Sequence, residues 1–318
     1  MDVRGFRRSF SPAAIGENIG AAWRAAAALP LSRKILREFR PDVAVGTGGY
    51  VCGPVLRQAE RMGIPVVLHE SNALPGVTTK MLAKQAAVTL VADKAAIARL
   101  PEGCRTEVTG NPLREGFFTL DKAASRRELG LDERPVVLSY GGSLGAARIN
   151  EAMTGVLERS CKEGRLQHIH AAGKAGYAAM CEALTARGVP LSGGGICVRE
   201  YIDDMPRCMA AADLVICRCG AMTMSELPAA GKPAILIPSP YVAEDHQRYN
   251  AMALVDKGAA RCLEEKDLTA DSLWALIGEL TASPDTLRSM GERAKSAAVP
   301  DAAERIYRAI RRVVSDAK

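Results

Sequence analysis

Residues 135–146 read PVVLSYGGSLGA, and this stretch decides the fold. The mostly apolar run over residues 135–140 is typical of a strand buried on both faces of a parallel sheet. The glycine-rich turn YGGSLGA follows directly and predicts the start of a helix behind it. A strand, a glycine-rich turn and a helix form the opening unit of a doubly wound α/β domain.

The same alternation continues toward the C-terminus. Predicted strands cover residues 167–170, 195–199, 213–217, 234–238 and about 260–263. Predicted helices begin near residues 144, 174, 204, 222 and 244. Six strands with crossover helices predict a complete doubly wound domain, closed by helices at about 269–281, 284–297 and 301–315.

A shorter series precedes it, with strands at residues 42–46, 65–69, 88–91 and 106–109. The polar stretch LGLDER at residues 129–134 separates the two series, so we predict domains at 1–133 and 134–318. The first series opens with a basic amphipathic stretch, whereas a doubly wound domain normally begins with its central strand and a glycine-rich turn. We therefore expect a strand–turn–helix unit upstream of Met1.

Composition narrows the functional classes. The net charge of +6 fits anionic ligands, although a generic solvated surface explains it equally well. Nine scattered cysteines without a C-x-x-C pair predict no zinc site and indicate a reducing cytoplasm. No stretch reaches the roughly 18 consecutive apolar residues of a membrane span, so we expect a cytosolic or peripheral protein.

The turn at residues 140–146 is a candidate pyrophosphate site. Backbone N–H groups at a helix N-terminus bind phosphate, and Ser143 adds a hydroxyl. The turn lacks the G-x-G-x-x-G spacing, and the next strand ends in HIHA without an acidic residue for a ribose. A nicotinamide-dependent dehydrogenase is therefore disfavoured.

The segment CRCGAMTMSELPAAG at residues 217–231 is the most informative motif. A strand ends there and a helix begins near Ala221, with Thr223 and Ser225 in its first turn. Free N–H groups at this point favour an anion. Glu226 can accept two ribose hydroxyls, or it is an ordinary first-turn acid favoured by the helix dipole.

Other polar residues follow predicted strands, where ligands of open α/β sheets bind. Gln247 and Asn250 in PSPYVAEDHQRYN suit sugar hydroxyls, and the neighbouring His246 is a weaker candidate base. Asn72 in HESNALP and Arg114 in TGNPLR follow strands of the first domain, Arg114 as a phosphate or uracil donor. The cluster GTGGYVCGP at residues 46–54 admits either a ligand or a structural turn.

Residues 6–36 combine basic and apolar side chains. Ile15, Ile19 and Trp23 recur every four residues, among the cations Arg7, Arg8, Arg24, Arg33 and Lys34. Such a helix favours an anionic membrane surface, while a face that packs on another part of the domain is an equal alternative.

Taken in order, these motifs resemble one family of enzymes. GGYVCGP, HESN, TGNPLR, YGGSLGA, EYIDDM, CGAMTMSE, AAGKPAILIP, DHQRYNA and AVPDAAERI together look like the peptidoglycan transferases that convert lipid I to lipid II. The resemblance runs from near Val3 to the C-terminus. A chain-long ordered set is far more specific than any one motif. One departure is Cys219, where the family usually carries Ser or Ala.

The resemblance implies two Rossmann-like domains facing across a cleft, the GT-B fold, with the first domain incomplete at its N-terminus. It implies inverting, metal-independent transfer of N-acetylglucosamine (GlcNAc) from UDP-GlcNAc to lipid I, without a cofactor or nucleic acid, at the cytoplasmic face of the membrane. Such enzymes serve cell-wall biogenesis, cell shape and cell division. The positions matching the donor site are Asn72, Arg114, Ser143, Ile202, Ala221, Met222, Thr223, Met224, Ser225, Glu226 and Gln247. Glu226 would bind the ribose, Ile202 the uracil and Gln247 the GlcNAc hydroxyls.

A second departure concerns the catalytic base. The family begins with a glycine-rich loop ending in His, its candidate base, and nothing similar precedes Val3. No catalytic residue is therefore assigned, and we expect this chain to bind UDP without forming lipid II. A non-catalytic UDP-sugar-binding fragment, a UDP-GlcNAc epimerase and a lipid galactosyltransferase stay open as alternatives.

Overall fold

The computed structural model describes residues 12–142, 144–242 and 245–317, without the side chains of residues 12–19, 21–22 and 25–26. The chain forms two compact units. The first comprises residues up to Pro112 together with Asp301–Lys318, and the second comprises Leu113–Pro300. This division differs from the predicted boundary after residue 133. The difference arises because the polar stretch at 129–134 lies inside the second unit, and because the last helix returns to the first.

The first unit contains a four-stranded parallel sheet with the order β1-β2-β3-β4. Its strands are β1 (Ala44–Gly46), β2 (Val66–Glu70), β3 (Val88–Val91) and β4 (Thr106–Val108). Its helices are α1 (Pro12–Phe39), α2 (Cys52–Arg61), α3 (Val77–Leu82) and α13 (Ala302–Asp316), with a 3₁₀ helix at Lys94–Arg99. All four predicted strands are confirmed in place.

Alternate side chains of β2 supply the cores on both faces of this sheet, as the two-residue period of a strand requires. Val66 and Leu68 pack with Leu56 of α2 and Leu36 of α1. Val67 faces the other side, where it packs with Leu90 and with Ala309 of α13. Helix α13 therefore completes the core of the first unit, although the sequence pattern had placed it in the second domain.

The second unit contains a seven-stranded sheet with the order β11-β10-β9-β5-β6-β8-β7. Its strands are β5 (Val136–Tyr140), β6 (Gln167–Ala171), β7 (Ser192–Gly193), β8 (Ile196–Arg199), β9 (Leu214–Cys217), β10 (Ala234–Leu236) and β11 (Ala260–Cys262). Its helices are α4 (Gly116–Thr119), α5 (Lys122–Glu128), α6 (Ala147–Glu163), α7 (Tyr177–Ala186), α8 (Met205–Ala211), α9 (Thr223–Ala230), α10 (His246–Val255), α11 (Ala270–Thr281) and α12 (Pro284–Lys295). A 3₁₀ helix spans Glu265–Asp267.

The strand order of the second unit reverses direction at β5. The chain first moves from β5 to β6 and β8, and it then crosses back to β9, β10 and β11. Such a reversal opens a crevice beyond the carboxyl ends of the two strands at the switch point, here β5 and β9. The sequence predicted every strand of this sheet except β7, which has only two residues and pairs antiparallel with β8.

Within the described residues, no helix combines the length and apolar character that crossing a bilayer requires.

Candidate functional site

The two loops that the sequence singled out follow neighbouring strands. Tyr140 at the end of β5 lies opposite Cys217 at the end of β9, in parallel register. The glycine-rich loop 141–146 leaves the first of these strands, and the loop 218–222 leaves the second. Both loops therefore begin at the switch point of the second unit, where open α/β sheets bind ligands.

Close backbone packing explains the glycines of the loop 141–146. Gly145 has φ of 81°, and a Cβ atom there would lie 2.2 Å from the carbonyl oxygen of Ala172. A Cβ on Gly141 would lie 2.4 Å from the amide nitrogen of Ala146. Gly141 thus packs closely on Ala146, and Gly145 packs on the segment after β6, directly before α6 begins at Ala147. The predicted site residue Ser143 lies outside the described residues.

Helix α9 begins at Thr223, within two residues of the predicted start near residues 221–222. The Met224 amide donates to Gly220 O at 3.0 Å and the Glu226 amide donates to Met222 O at 2.8 Å, which winds the first turn. Ala221, Thr223, Met224 and Ser225 are partly buried, while Met222 is exposed. The amides of Met224, Ser225 and Glu226 are thus already bonded within the chain, so an anion at this helix start has to use the N–H groups that precede Met224.

Glu226 lies in the first turn of α9, and burial raises the pKa of its carboxyl group. The nearby positive charge of Arg114 acts in the opposite direction and lowers this pKa. Arg114 lies against the ring of Phe117, with its guanidinium carbon 5.6 Å from the ring centre. The structure therefore brings two predicted site residues, Arg114 and Glu226, close together at the switch point.

Tyr140 lies beside Glu226, a neighbour that the sequence interpretation missed. Its hydroxyl is buried beside Cys217, Glu226 and Thr223, and burial raises the pKa of the phenol well above its ordinary value. Cys217 and Glu226 raise this pKa further. Tyr140 therefore stays neutral and adds a hydroxyl group next to the carboxylate of Glu226. Its position at the first residue of the YGGSLGA turn was the available signal.

Gln247 bridges the ends of two strands. Its Oε1 accepts hydrogen bonds from the amide of Ser239 at 2.9 Å and from the amide of Cys219 at 3.3 Å. Because the carbonyl oxygen is engaged in this way, the side-chain NH₂ group is the part of Gln247 suited to a sugar hydroxyl. Asn250 is buried and donates to Cys219 O at 3.0 Å, so this residue shapes the loop.

Ile202 follows β8, but its side chain is only 3% exposed and belongs to the core that contains Phe117 and Leu227. A contact of Ile202 with a ligand must therefore use the backbone N–H or C=O group. The sequence pattern could not distinguish a backbone contact from a side-chain contact.

Asn72 belongs to the first unit, whereas Arg114, Ile202, Glu226 and Gln247 belong to the second. The backbone nitrogen of Asn72 donates to Glu70 Oε1 at 3.1 Å, and the side-chain Nδ2 of Asn72 donates to the same oxygen at 3.2 Å. Glu70 Oε2 also accepts from Gly76 N at 2.9 Å and from Thr79 Oγ1 at 2.7 Å. Glu70 therefore fixes the loop that carries Asn72, a role the sequence interpretation missed although Glu70 is part of the HESN motif.

The HESN loop is also tied to the next motif of the first unit. His69 Nε2 lies 3.0 Å from Gly110 O, and Asn111 Nδ2 donates to Ser71 O at 3.2 Å. Two loops at the carboxyl edge of the first sheet are thus held together by one buried and one partly buried hydrogen bond, next to the residue Asn72.

Comparison with known families matches both parts of the chain. Residues 1–91 match the glycosyltransferase family 28 N-terminal domain, and residues 136–306 match the glycosyltransferase family 28 C-terminal domain. A protein of Bacillus cereus named UDP-N-acetylglucosamine--N-acetylmuramyl-(pentapeptide) pyrophosphoryl-undecaprenol N-acetylglucosamine transferase 1 is 38% identical over 98% of this chain and 84% of its own length. A transferase of Acetivibrio thermocellus with the same name, apart from the final number, is 39% identical over 99% of this chain and 84% of its own length.

Solved structures give the same picture. The crystal structure of Acinetobacter baumannii MurG matches with a TM-score of 0.75 and 29% identity, over 92% of this chain and 79% of that one. The UDP-GlcNAc 2-epimerase of Neisseria meningitidis, solved with UDP-GlcNAc bound, matches with a TM-score of 0.65 over 93% of this chain and 81% of that one. Because its identity is only 13%, this second likeness shows a shared fold alone.

Proposed function

Because this chain belongs to the family of transferases that act on N-acetylmuramyl-(pentapeptide) pyrophosphoryl-undecaprenol, lipid I, we propose that its second unit binds the donor UDP-GlcNAc at the switch point between β5 and β9. The enzyme moves GlcNAc from this donor to lipid I, which gives the lipid II of peptidoglycan synthesis. The observation that carries the donor-site proposal is the juxtaposition of Arg114, Glu226 and the first turn of α9 beside the glycine-rich loop.

The donor diphosphate fits the start of α9 and the loop 141–146. In this proposal the backbone N–H groups that precede Met224 and those of the loop supply hydrogen bonds, the helix dipole supplies positive potential, and Ser143 adds a hydroxyl. The wall of this site is formed by five consecutive residues at the start of α9, Ala221, Met222, Thr223, Met224 and Ser225. Since bond cleavage leaves a negative charge on UDP, the same groups and the guanidinium of Arg114 stabilise the departing diphosphate.

The remaining donor contacts divide by chemistry. The carboxylate of Glu226 accepts the two ribose hydroxyls, and the backbone of Ile202 pairs with the uracil edge. Gln247 donates its NH₂ group to a GlcNAc hydroxyl, while its carbonyl stays on the two backbone amides that hold it. Asn72, presented by Glu70 in the first unit, is a further donor-binding residue.

The transfer is a displacement at the anomeric carbon of GlcNAc. A hydroxyl oxygen of lipid I forms the new bond on the face opposite to UDP, the bond from the anomeric carbon to the UDP oxygen breaks, and the hydroxyl proton passes to a base. The configuration inverts, and no metal ion is required in this proposal because amide N–H groups and Arg114 carry the phosphate charge.

We further propose that α1 attaches the enzyme to an anionic membrane surface as a peripheral protein. Among the described side chains of α1, Trp23 and Phe39 are 74% and 76% exposed, and Leu31 and Ile35 are also exposed. Arg33, Lys34 and Arg37 line a cavity of about 700 Å³ together with Arg61 of α2. Exposed aromatic groups next to a cluster of cations favour the interface of an acidic bilayer.

The sequence-based membrane hypothesis also used Ile15 and Ile19, whose side chains lie outside those that the structure describes, and Arg7 and Arg8, which lie outside the described residues.

Calorimetry with UDP tests the donor site. Replacement of Glu226 by Ala should weaken UDP binding by roughly 1.5–3 kcal/mol, because charge-assisted hydrogen bonds to the ribose are lost. Glu226→Gln should retain part of the affinity, since its side-chain oxygen still accepts one hydroxyl. The exposed Glu279→Ala, on α11, is the control and should bind UDP like the parent. Unchanged affinity in Glu226→Ala would refute the assignment.

A transfer assay tests the reaction itself. Labelled GlcNAc from UDP-GlcNAc should appear on a lipid I analogue, and Glu226→Ala should reduce the rate at low donor concentration. Conversion of UDP-GlcNAc to another UDP-sugar without a lipid acceptor would instead identify an epimerase. Donor binding without any turnover would identify a UDP-sugar-binding module.

A further inference from the structure

The second unit contains a buried polar network that the donor contacts do not use. It lies on β6, where the side chains of His168 and His170 are both fully buried. His170 Nδ1 lies 2.8 Å from Ser139 Oγ, and His170 Nε2 lies 3.2 Å from Asn150 Oδ1. Asn150 Nδ2 in turn donates to the carbonyl oxygen of Ala172 at 2.8 Å.

Hydrogen-bond chemistry fixes the direction of every bond in this network. The Asn150 NH₂ group is bound to a carbonyl, so the atom that meets His170 is the amide oxygen, which can only accept. His170 Nε2 therefore carries the proton. Burial lowers the pKa of His170 to about 3, so its ring is neutral and Nδ1 accepts the proton of the Ser139 hydroxyl.

The network includes one residue before the glycine-rich loop and one residue behind it. Ser139 is the residue before Tyr140, at the end of β5, and Asn150 lies in the first turn of α6 behind the loop. The carbonyl of Ala172 that Asn150 holds is the group against which Gly145 packs. A Cβ on Gly176 would lie 2.3 Å from Asn150 Nδ2, so the glycine at this position leaves the space that the Asn150 amide occupies.

We propose that His170 is a positioning residue for donor binding, which holds the two ends of the loop 141–146 in the positions that receive the donor diphosphate. It acts through Ser139 on one end of the loop and through Asn150 and the Ala172 carbonyl on the other. The inference rests on the proposed donor site, because it requires that this loop binds phosphate.

His168 provides a matched control on the same strand. It is as buried as His170 and faces the same side of β6, but its Nε2 contacts Ser160 Oγ, at 2.9 Å, near the end of α6 that is remote from the loop. Replacement of either histidine by Phe removes a buried polar ring at similar volume. Only the change at residue 170 removes hydrogen bonds to Ser139 and Asn150, the residues next to the two ends of the loop.

The experiment compares UDP with uridine, which lacks the diphosphate. In His170→Phe, calorimetry should show UDP binding weakened by about five- to tenfold, the effect of one or two lost hydrogen bonds. Uridine binding, followed by ligand-observed NMR, should change less than twofold. His170→Gln can donate to Asn150 Oδ1 and should recover most of the UDP affinity. His168→Phe should bind both ligands like the parent.

Each other outcome decides against the proposal. Equal weakening of UDP and uridine in His170→Phe, or equal effects of His168→Phe and His170→Phe, would mean that the histidine serves only folding. Unchanged UDP affinity would exclude any role in the loop. If His170→Phe does not fold, Ser139→Ala takes its place and should show the same preference for weakening UDP over uridine. A parent protein that binds no UDP, or a Glu226→Ala variant with full affinity, would instead overturn the donor site itself.

Discussion

Acidification from pH 7 to pH 5 should selectively destabilise the second unit, because two of its histidines are buried in the neutral form. Burial lowers the pKa of His168 from 6.5 to about 4 and that of His170 from 6.5 to about 3. In the unfolded chain both rings bind protons near their ordinary pKa, so the unfolded state binds more protons throughout this pH interval.

The sign and size follow from this difference in proton binding. Stability contributed by a histidine with a lowered pKa is complete above its unfolded pKa of 6.5 and falls as the pH decreases toward its folded pKa. The pH of 5 lies about 1.5 units below the unfolded pKa, and each unit removes about 1.36 kcal/mol of stability per histidine. The two histidines together should therefore reduce the unfolding free energy by about 4 kcal/mol.

Carboxyl groups change this result little above pH 5. Asp132 and Glu158 have lowered pKa values because of hydrogen bonds to Arg134 and Lys162, so their contributions are lost only at lower pH. Burial raises the pKa of Glu226, so its protonation at low pH favours the folded state and opposes the histidines. A Glu226→Gln background removes this opposing effect.

Tryptophan fluorescence can isolate the second unit. The chain has two Trp residues, and Trp274 packs against the core on the histidine side of the sheet. In a Trp23→Phe background, Trp274 fluorescence reports the urea midpoint of unfolding, which should decrease as the pH is lowered from 7 to 6 and 5. When His168→Gln and His170→Gln are added together, this decrease of the midpoint should become much smaller. Parallel pH dependence in the two proteins would refute the reasoning.

Two further predictions concern ligands. Gln247→Ala should weaken UDP-GlcNAc binding by about 1 kcal/mol more than UDP binding, because the lost NH₂ group faces the sugar; equal losses measured by calorimetry would place Gln247 on the nucleotide or the loop alone. The exposed face of α1 should bind anionic vesicles more strongly than neutral ones. Salt should weaken this binding because exposed charges are screened, and Trp23→Ala should weaken it because the aromatic anchor is removed. Equal amounts of protein cosedimenting with anionic and with neutral vesicles would contradict the membrane proposal.

Most of the architecture could be predicted because strand signals in this chain are local. Runs such as VVLSY and LVIC are apolar on both faces, so their position fixes buried parallel strands without knowledge of distant contacts. The short β7 could not be predicted, because Ser192 and Gly193 have no strand preference and pair only as an extension of β8. The return of α13 to the first unit is a long-range contact that no local pattern encodes.

The candidate site was predicted unevenly for a similar reason. Glu226 follows β9 at the switch point, a placement that strand topology alone predicts. Arg114 follows β4 of the other sheet, so its proximity to Glu226 is a long-range contact that the strand order does not encode. The roles of Glu70, Tyr140 and His170 depend on burial and on partners far along the chain. The strand QHIHA predicts only that its histidines are buried. The link of His170 to the loop becomes visible through its contacts with Ser139 and Asn150.

The placement of α13 has a consequence for synthesis on the ribosome. Ala309 of this helix covers Val67 and Leu90 of the first sheet, yet it is translated after the whole of the second unit. While residues 113–300 emerge and fold, this apolar face of the nascent first unit lacks its native cover. A released chain that ends at Pro300 should therefore hold a folded second unit and a first unit that still recruits chaperones, the reverse of the N-terminal-first order common in multidomain proteins.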